Sequence, residues 1–293
     1  MNAVILSAGQ GWHNDELQRA FRARGHTCAV LPVTHLIGNI ESAGETSIVN
    51  RQFEIENCAV VLIRIIPRGS LEQIVFRMDS LHVLAAGGTR VFNPPAAIER
   101  TVDKFYTSAL LAQAGLPTPR TIVCERSDDA LQAFAALGGD VVIKPLFGSM
   151  GLGMVRVQDE GLAYRTFRAL ELERAVFYLQ AFVPNAGKDI RAFVLGGRVL
   201  AAMERVAPAG AWKTNVARGG QARAVHLTPH QTNLCLHAAA VVGAEYAGVD
   251  LLPAADGAQY VLEVNGIPGW QGLQSTTQIN IADEIVRYLE HTA

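Results

Sequence analysis

Short apolar runs alternate with amphipathic stretches through the first third of the chain, and the alternation predicts strands and helices in turn. Residues 3–7 are apolar, Ala8-Gly9-Gln10-Gly11 supplies a turn, residues 14–24 carry helical spacing, and residues 28–32 are apolar again. Residues 59–66 read as a further strand, followed by helical spacing over 71–87. This order predicts a small parallel sheet with helices on its faces. Asn93-Pro94-Pro95 ends the region, because proline neither continues a helix nor donates to a ladder.

Helical spacing returns over 96–114 as one segment and stops at Gly115-Leu116-Pro117-Thr118-Pro119. A strand at 120–124, a helix at 128–137 and a strand at 141–145 lead into Gly148-Ser149-Met150-Gly151-Leu152-Gly153, with another strand over 154–157. The last third reads as strands at 177–183, 189–195 and 198–205, a helix at 229–245, a hairpin, and a helix at 281–291. No internal repeat and no low-complexity segment interrupts this. The expectation is an α/β chain with α+β elements, built from two or three subdomains.

Composition narrows the function. Hydrophobic residues make up 49% of the 293, enough for a sizeable core, and the formal net charge of −2 argues against nucleic acid or an anionic membrane as partner. Arg64 interrupts the best apolar run, at 59–66, so no segment reaches membrane-spanning length. The start, MNAVILSAGQ, lacks the basic region of a signal peptide. Cys28, Cys58, Cys124 and Cys235 are widely spaced, which predicts reduced thiols and neither a metal knuckle nor a redox pair. A soluble, cytoplasmic protein is expected.

The segment from Gly248 to Asn265 holds the most informative local pattern. Residues 248–252 and 260–264 are strand-like and flank Asp256-Gly257, a dipeptide that favours a two-residue hairpin turn. That turn pairs Asp250 with Glu263, their Cβ atoms about 5 Å apart, and puts Asn265 on the same face. Facing like charges destabilise a sheet. The pattern is therefore either a solvated acidic face or a set of hard oxygen ligands for a cation such as Mg²⁺.

The glycine loop lies between two strands, which excludes the dinucleotide fingerprint, and it lacks the lysine-serine/threonine ending of a P-loop. It is either a structural turn or a hairpin offering backbone amides to phosphates. Lys144, ending an apolar strand beside the loop, and Lys104, in Thr101-Val102-Asp103-Lys104, are phosphate candidates or plain surface lysines.

Taken in order, Asp103-Lys104, Ile143-Lys144-Pro145, the glycine loop, Gln180-Ala181-Phe182-Val183, Asp189-Ile190-Arg191, Asn215 with Arg218-Gly219-Gly220, Asp250 and Glu263-Val264-Asn265 resemble the ATP-grasp superfamily, and within it the RimK-like ligases. The resemblance spans nearly the whole chain. It implies an N-terminal α/β domain at 1–95, a central ATP-grasp subdomain at 96–180 and a C-terminal one at 181–293. It implies ATP as cosubstrate, with Lys104 and Lys144 on its phosphates and Gly148, Ser149, Met150 and Gly151 closing over them. Gln180, Ala181, Phe182 and Val183 would form the hinge that reads adenine, although relatives often carry glutamate at the position of Ala181. Asp189 would contact ribose, and Lys213, Thr214 and Asn215 would line the phosphate region. Asp250, Glu263 and Asn265 match the family's metal ligands, implying two Mg²⁺ ions with Mn²⁺ able to substitute. Arg191, Arg205 and Arg218 are the candidates to steady the substrate carboxylate, acyl phosphate and oxyanion, with Arg205 equally readable as a structural ion pair.

The resemblance further implies amide-bond formation between an amino acid, glutamate favoured, and a small-molecule or peptide carboxylate, in a homo-oligomer (dimer or tetramer). The ending Gly266-Ile267-Pro268-Gly269-Trp270 is similar to RimK-like proteins of tetrahydromethanopterin metabolism. A carrier-protein ligase of the lysine-biosynthetic type and a small-molecule kinase on the same fold are the alternatives. Trp270 reads either as a stacking platform or as a buried anchor. Trp12, His13 and Asn14 lie where α/β sheets bind ligands, and Arg64 and Arg68 are candidates for a substrate carboxylate.

Overall fold

The apolar runs that open the chain become a four-stranded parallel sheet in the order Thr27–Pro32, Asn2–Ser7, Val60–Ile63, Arg90–Phe92. These and the following statements come from a computed structural model, which describes residues 1–42, 44–51, 53–148, 151–214 and 219–292. Helices Trp12–Ala23 and Leu71–Ala86 make the crossovers. Along Asn2–Ser7, Ala3 and Ile5 face one core with Leu17 and Phe21, while Val4 and Leu6 face another with Leu81 and Leu84. Burial on both faces is why residues 3–6 of this strand are continuously apolar. A small antiparallel sheet of Leu36–Ile40, Thr46–Asn50 and Phe53–Glu54 was not predicted. Its alternation is weak because Leu36 alone is buried in the first strand.

The single helix expected over 96–114 is two, Pro95–Val102 and Lys104–Gln113. Asp103 between them is extended (φ −91°, ψ 104°), and its carboxylate accepts the Tyr106 N–H at 3.0 Å as an N-cap. The break sets Lys104 at the first helical position. The helix expected to run to 245 ends earlier, as Pro229–Val242, because Gly243 turns left-handed at φ 72°. A further helix, Glu160–Leu172, absent from the expected elements, starts on an Asp159 cap.

Two antiparallel sheets build the rest. The central sheet runs Val155–Val157, Val141–Lys144, Phe177–Ala181, Thr121–Cys124, with helices Ser127–Ala136 and Glu160–Leu172 packed on one face. The C-terminal sheet runs Gln221–Ala224, Arg198–Val206, Lys188–Leu195, Tyr246–Pro253, Gln259–Asn265, backed by helix Pro229–Val242. The last helix, Ile281–Thr292, returns to the N-terminal unit, so that Ile285 and Leu289 share a core with Leu17 and Phe21. Asn93, fully buried, ties the N-terminal sheet to the C-terminal one. Its Nδ2 donates to the carbonyls of Tyr246 (2.7 Å) and Gly266 (2.6 Å), and its Oδ1 accepts the N–H groups of Glu245 (2.8 Å) and Tyr246 (3.0 Å). Among the described residues no helix is long and apolar enough to cross a membrane, and no disulfide joins any of the four cysteines.

Candidate functional site

The outer faces of the central and C-terminal sheets carry helices, and the remaining faces line one cavity of about 740 Å³. On strand Val141–Lys144 the alternation sends Val141 and Ile143 into the helix-side core and Val142 and Lys144 to the cavity. Lys144 is 9% exposed, and its Nζ donates to Gln180 Oε1 at 2.6 Å. The Gln180 amide nitrogen donates in turn to the hydroxyls of Thr121 and Tyr178, both at 3.2 Å, so the side chain has one orientation. Burial pushes the Lys144 pKa down to about 8, against the opposing pull of Glu263. Lys104 donates to the carbonyls of Gly148 (2.8 Å) and Leu146 (3.4 Å), and burial lowers its pKa as well. Lys104 therefore reaches the start of the glycine loop, and Lys144 lines the same cavity as Gly148. At the loop's far end Gly153 has φ +73°, and a Cβ there would stand 2.8 Å from Pro145 Cγ, so the close return past Pro145 requires glycine.

Gly148 and Gly151 line the cavity, as do Gln180, Ala181, Phe182 and Val183. The N–H groups of Ala181 and Phe182 are occupied, donating to Arg120 O (2.8 Å) and Asp140 O (2.9 Å). This narrows the hinge expectation, because those two amides do not face a base. Lys213 donates to the Met154 carbonyl at 2.6 Å, and Thr214 lies beside Asp189. Ser149, Met150, Asn215 and Arg218, all expected at the site, lie outside the described residues.

Across the cavity, Asp250 pairs with Glu263 and Gly248 with Asn265, but not by way of a two-residue turn. Ala254 N–H donates to Ala258 O at 2.8 Å and Gly257 takes φ +88°, giving a three-residue turn. Nearer the turn the register is offset by one, with Leu251 opposite Val261, and a β-bulge after Asp250 restores it. The bulge sends Val261 and Val264 to the core and Leu262, Glu263 and Asn265 to the cavity.

The facing acids are not left as a bare pair. Asp250, 6% exposed, accepts Arg191 Nε in a short contact and Arg191 Nη2 at 2.7 Å, with Arg205 Nη2 3.0 Å away. Arg205, 5% exposed, donates to both oxygens of Asp189 at 2.6 and 2.7 Å. Asp189 also accepts the Thr214 hydroxyl at 2.5 Å. Burial alone raises the Asp250 pKa, but Arg191 and Arg205 outweigh it and hold the carboxyl below its ordinary value. Two expectations change as a result. Asp189, read as a ribose contact, has both oxygens engaged inside the protein. Arg205, readable as an anion clamp or as a structural ion pair, takes the second form, a buried bridge between two aspartates.

Glu263 is half-buried and forms no ion pair among the described residues. Asn265 Nδ2 donates to the Gly248 carbonyl at 3.2 Å, which leaves its Oδ1 available. No cluster of three or more His, Cys, Asp and Glu suited to a metal occurs among the described residues. The candidate set is two carboxylates and an amide, hard oxygen donors of the kind Mg²⁺ takes. For Asp250 to join, a guanidinium must yield one of its oxygens.

Trp270 is a buried anchor, 1% exposed, not a stacking platform. Arg64 lies over its ring at 4.8 Å and contacts Tyr246 Oη at 3.3 Å, away from the cavity lining. Arg68 is exposed and does not line the cavity either. His13 does line it. The cavity also has an apolar lining, Met203, Leu252, Leu262 and Trp212, that is not among the residues expected at the site. For Leu262 no local signal exists, since strict alternation sends it to the core.

Two antiparallel sheets gripping a cavity with paired lysines on one wall and acids on the other define an ATP-grasp enzyme. Residues 101–289 match the RimK-like ATP-grasp domain. The chain is 36% identical over 258 residues to the tetrahydromethanopterin:alpha-L-glutamate ligase of Methanosarcina acetivorans, covering 79% of each. It is 34% identical over 296 residues to the probable alpha-L-glutamate ligase of Alkalilimnicola ehrlichii, covering 100% of this chain and 96% of that one. The ATP-grasp ligase PsnB, solved with a minimal precursor, Mg and ADP, shares the fold with a TM-score of 0.74 at 22% identity, over 99% and 97% of the two chains. The protein belongs to the RimK-like ATP-grasp family, and it is an ATP-dependent ligase of an acid and an amino acid.

Proposed function

We propose that this enzyme joins L-glutamate to the carboxylate of a small cofactor or peptide-like acceptor, a reduced pterin of the tetrahydromethanopterin type being the first candidate. The observation that carries the reading is the single cavity in which Lys104 and Lys144 share a wall-to-wall space with Glu263, Asn265 and Arg191. Its volume suits a nucleotide with a second acid beside it. Lys104, Lys144 and the glycine loop hold the phosphates, and the N–H of Val183, which meets no backbone acceptor among the described residues, reads the base edge. The acceptor carboxylate attacks the γ-phosphoryl group and ADP departs; the glutamate amine then attacks the acyl carbon and phosphate leaves. Positioning and charge neutralisation carry the first step, and no side-chain nucleophile is needed.

Arg191 steadies the acid through Nη1, since Nε and Nη2 are held by Asp250. Asp189 and Arg205 act on the site by fixing Asp250. Asp250, Glu263 and Asn265 would hold Mg²⁺, two ions in this reading with Mn²⁺ able to substitute. The metal, when bound, neutralises phosphate charge. Reduced cysteines fit a cytoplasmic location, and a homo-oligomer belongs to the same reading, to be checked by sedimentation.

Mass spectrometry over an acceptor panel tests the function. An acceptor gaining glutamate minus water, only with ATP and glutamate together, is the expected result. ADP release with a stable phosphorylated acceptor and no dependence on glutamate would replace the ligase with a kinase.

A further inference from the structure

Among the described residues, one side chain from residues 1–95 lines the cavity, and it is His13. The ring stands in the first turn of helix Trp12–Ala23, directly after the strand-to-helix loop. That loop is fixed by Asn14, whose Nδ2 donates to Ser7 Oγ (2.8 Å) and the Gly9 carbonyl (2.6 Å). The imidazole packs edge-on against Trp12 (5.0 Å) and Trp270 (4.6 Å), so its plane is held on two sides.

The backbone N–H of Trp270 meets His13 Nε2 at 2.9 Å. An amide N–H only donates, so Nε2 carries the lone pair and, in a neutral ring, the proton sits on Nδ1. Burial and the nearby Arg64 charge both disfavour the imidazolium, pushing its pKa to about 4. The ring is thus a neutral donor through Nδ1 and cannot accept a proton at Nε2 without breaking the link to Trp270. This excludes it as the base that deprotonates the attacking amine. Its neighbours on the cavity wall are Gly269, Gln271 and Gly272, from the loop that follows the Glu263 strand.

We propose that His13 is a substrate-binding residue whose Nδ1–H donates to a carboxylate oxygen of one of the two acids the ligase joins. A neutral donor supplements Arg191 there without adding a second full charge beside it. The inference rests on the ligase reading above and adds a binding contact to it.

Two substitutions separate this role from simple anchoring of Trp270. In His13→Gln the amide oxygen takes the place of Nε2 and still accepts the Trp270 N–H, but the donor at the Nδ1 position is gone. In His13→Asn an amide N–H stands near the Nδ1 position, while the reach to Trp270 is lost. The expected result is a KM for one acid raised about 10- to 100-fold in His13→Gln, with kcat within about threefold and unfolding temperature unchanged, as for loss of a hydrogen bond to a charged group. His13→Asn should keep that KM within about threefold and lose thermal stability. Whether KM rises for glutamate or for the acceptor identifies which acid is held. Unchanged KM values for both acids in His13→Gln would overturn the proposal. So would equal defects in both variants that track stability, since these mark a purely structural anchor. Imidazole ¹⁵N spectra at neutral pH should show the Nδ1–H tautomer, and an Nε2–H tautomer would also overturn it. Failure of the unsubstituted protein to incorporate glutamate is a distinct outcome, which counts against the ligase reading and removes this role with it.

Discussion

Lys144→Met removes an ammonium that the fold holds at a cost. Lys144 has a pKa of about 8 in the folded chain, against an ordinary value of 10.5. Below pH 8 the group is charged in both folded and unfolded states, and the full burial penalty applies. As pH rises from 8 to 10.5 the folded chain releases this proton first, so the unfolded state binds more protons and stability climbs. The displacement corresponds to roughly 3 kcal/mol of penalty at neutral pH, and roughly 2 kcal/mol of it should be recovered by about pH 10. The methionine variant lacks the penalty but leaves Gln180 Oε1 without its donor, which costs about 1–3 kcal/mol. At pH 7 the two effects nearly cancel. Urea unfolding of both proteins from about pH 7 to pH 10 isolates the term, because every other titration is common to the pair. The unsubstituted protein should gain roughly 2 kcal/mol on the variant across that range, while ADP release by the variant falls at least about 100-fold. Parallel stability curves would refute the buried-ammonium argument, and retained turnover would refute the phosphate role.

Glu263→Gln is nearly isosteric and removes a carboxylate that forms no ion pair among the described residues. Its unfolding temperature should therefore stay within about 2 °C, while the Mg²⁺-dependent thermal shift with ADP disappears; a shift that survives would remove Glu263 from the metal site. Gly153→Ala forces a Cβ against Pro145 at positive φ, costing about 1–2 kcal/mol, and should raise the KM for ATP, read by steady-state ADP release. Asn93→Ala removes four side-chain hydrogen bonds to the backbone of Glu245, Tyr246 and Gly266, three of them buried, and urea unfolding should show a loss of about 3–5 kcal/mol.

Most of the fold was legible in the chain because its signals are local. The opening run at 3–6 is apolar throughout because both faces of its strand are covered, and glycine and proline mark the turns. The break at Asp103 was also local, an aspartate three residues before the amide it caps, yet the helical spacing on either side masked it. The hairpin is the instructive case. Asp250 does stand opposite Glu263, although the turn holds one residue more than Asp256-Gly257 implied and a bulge at Leu262 compensates. A bulge has no sequence mark there; it is set by the need to bury both Val261 and Val264 against helix Pro229–Val242. The sequence by itself determined which acids, lysines and glycines the enzyme carries, and in what order. Only tertiary structure decided their partners. Asp189 and Arg191 share one strand and Arg205 stands on the next, but Asp250 comes 59 residues after Arg191, and burial beside Asp250 makes an unpaired charge too costly to leave. Likewise the tautomer of His13 follows from a backbone amide 257 residues away, a distance in sequence that no local pattern spans.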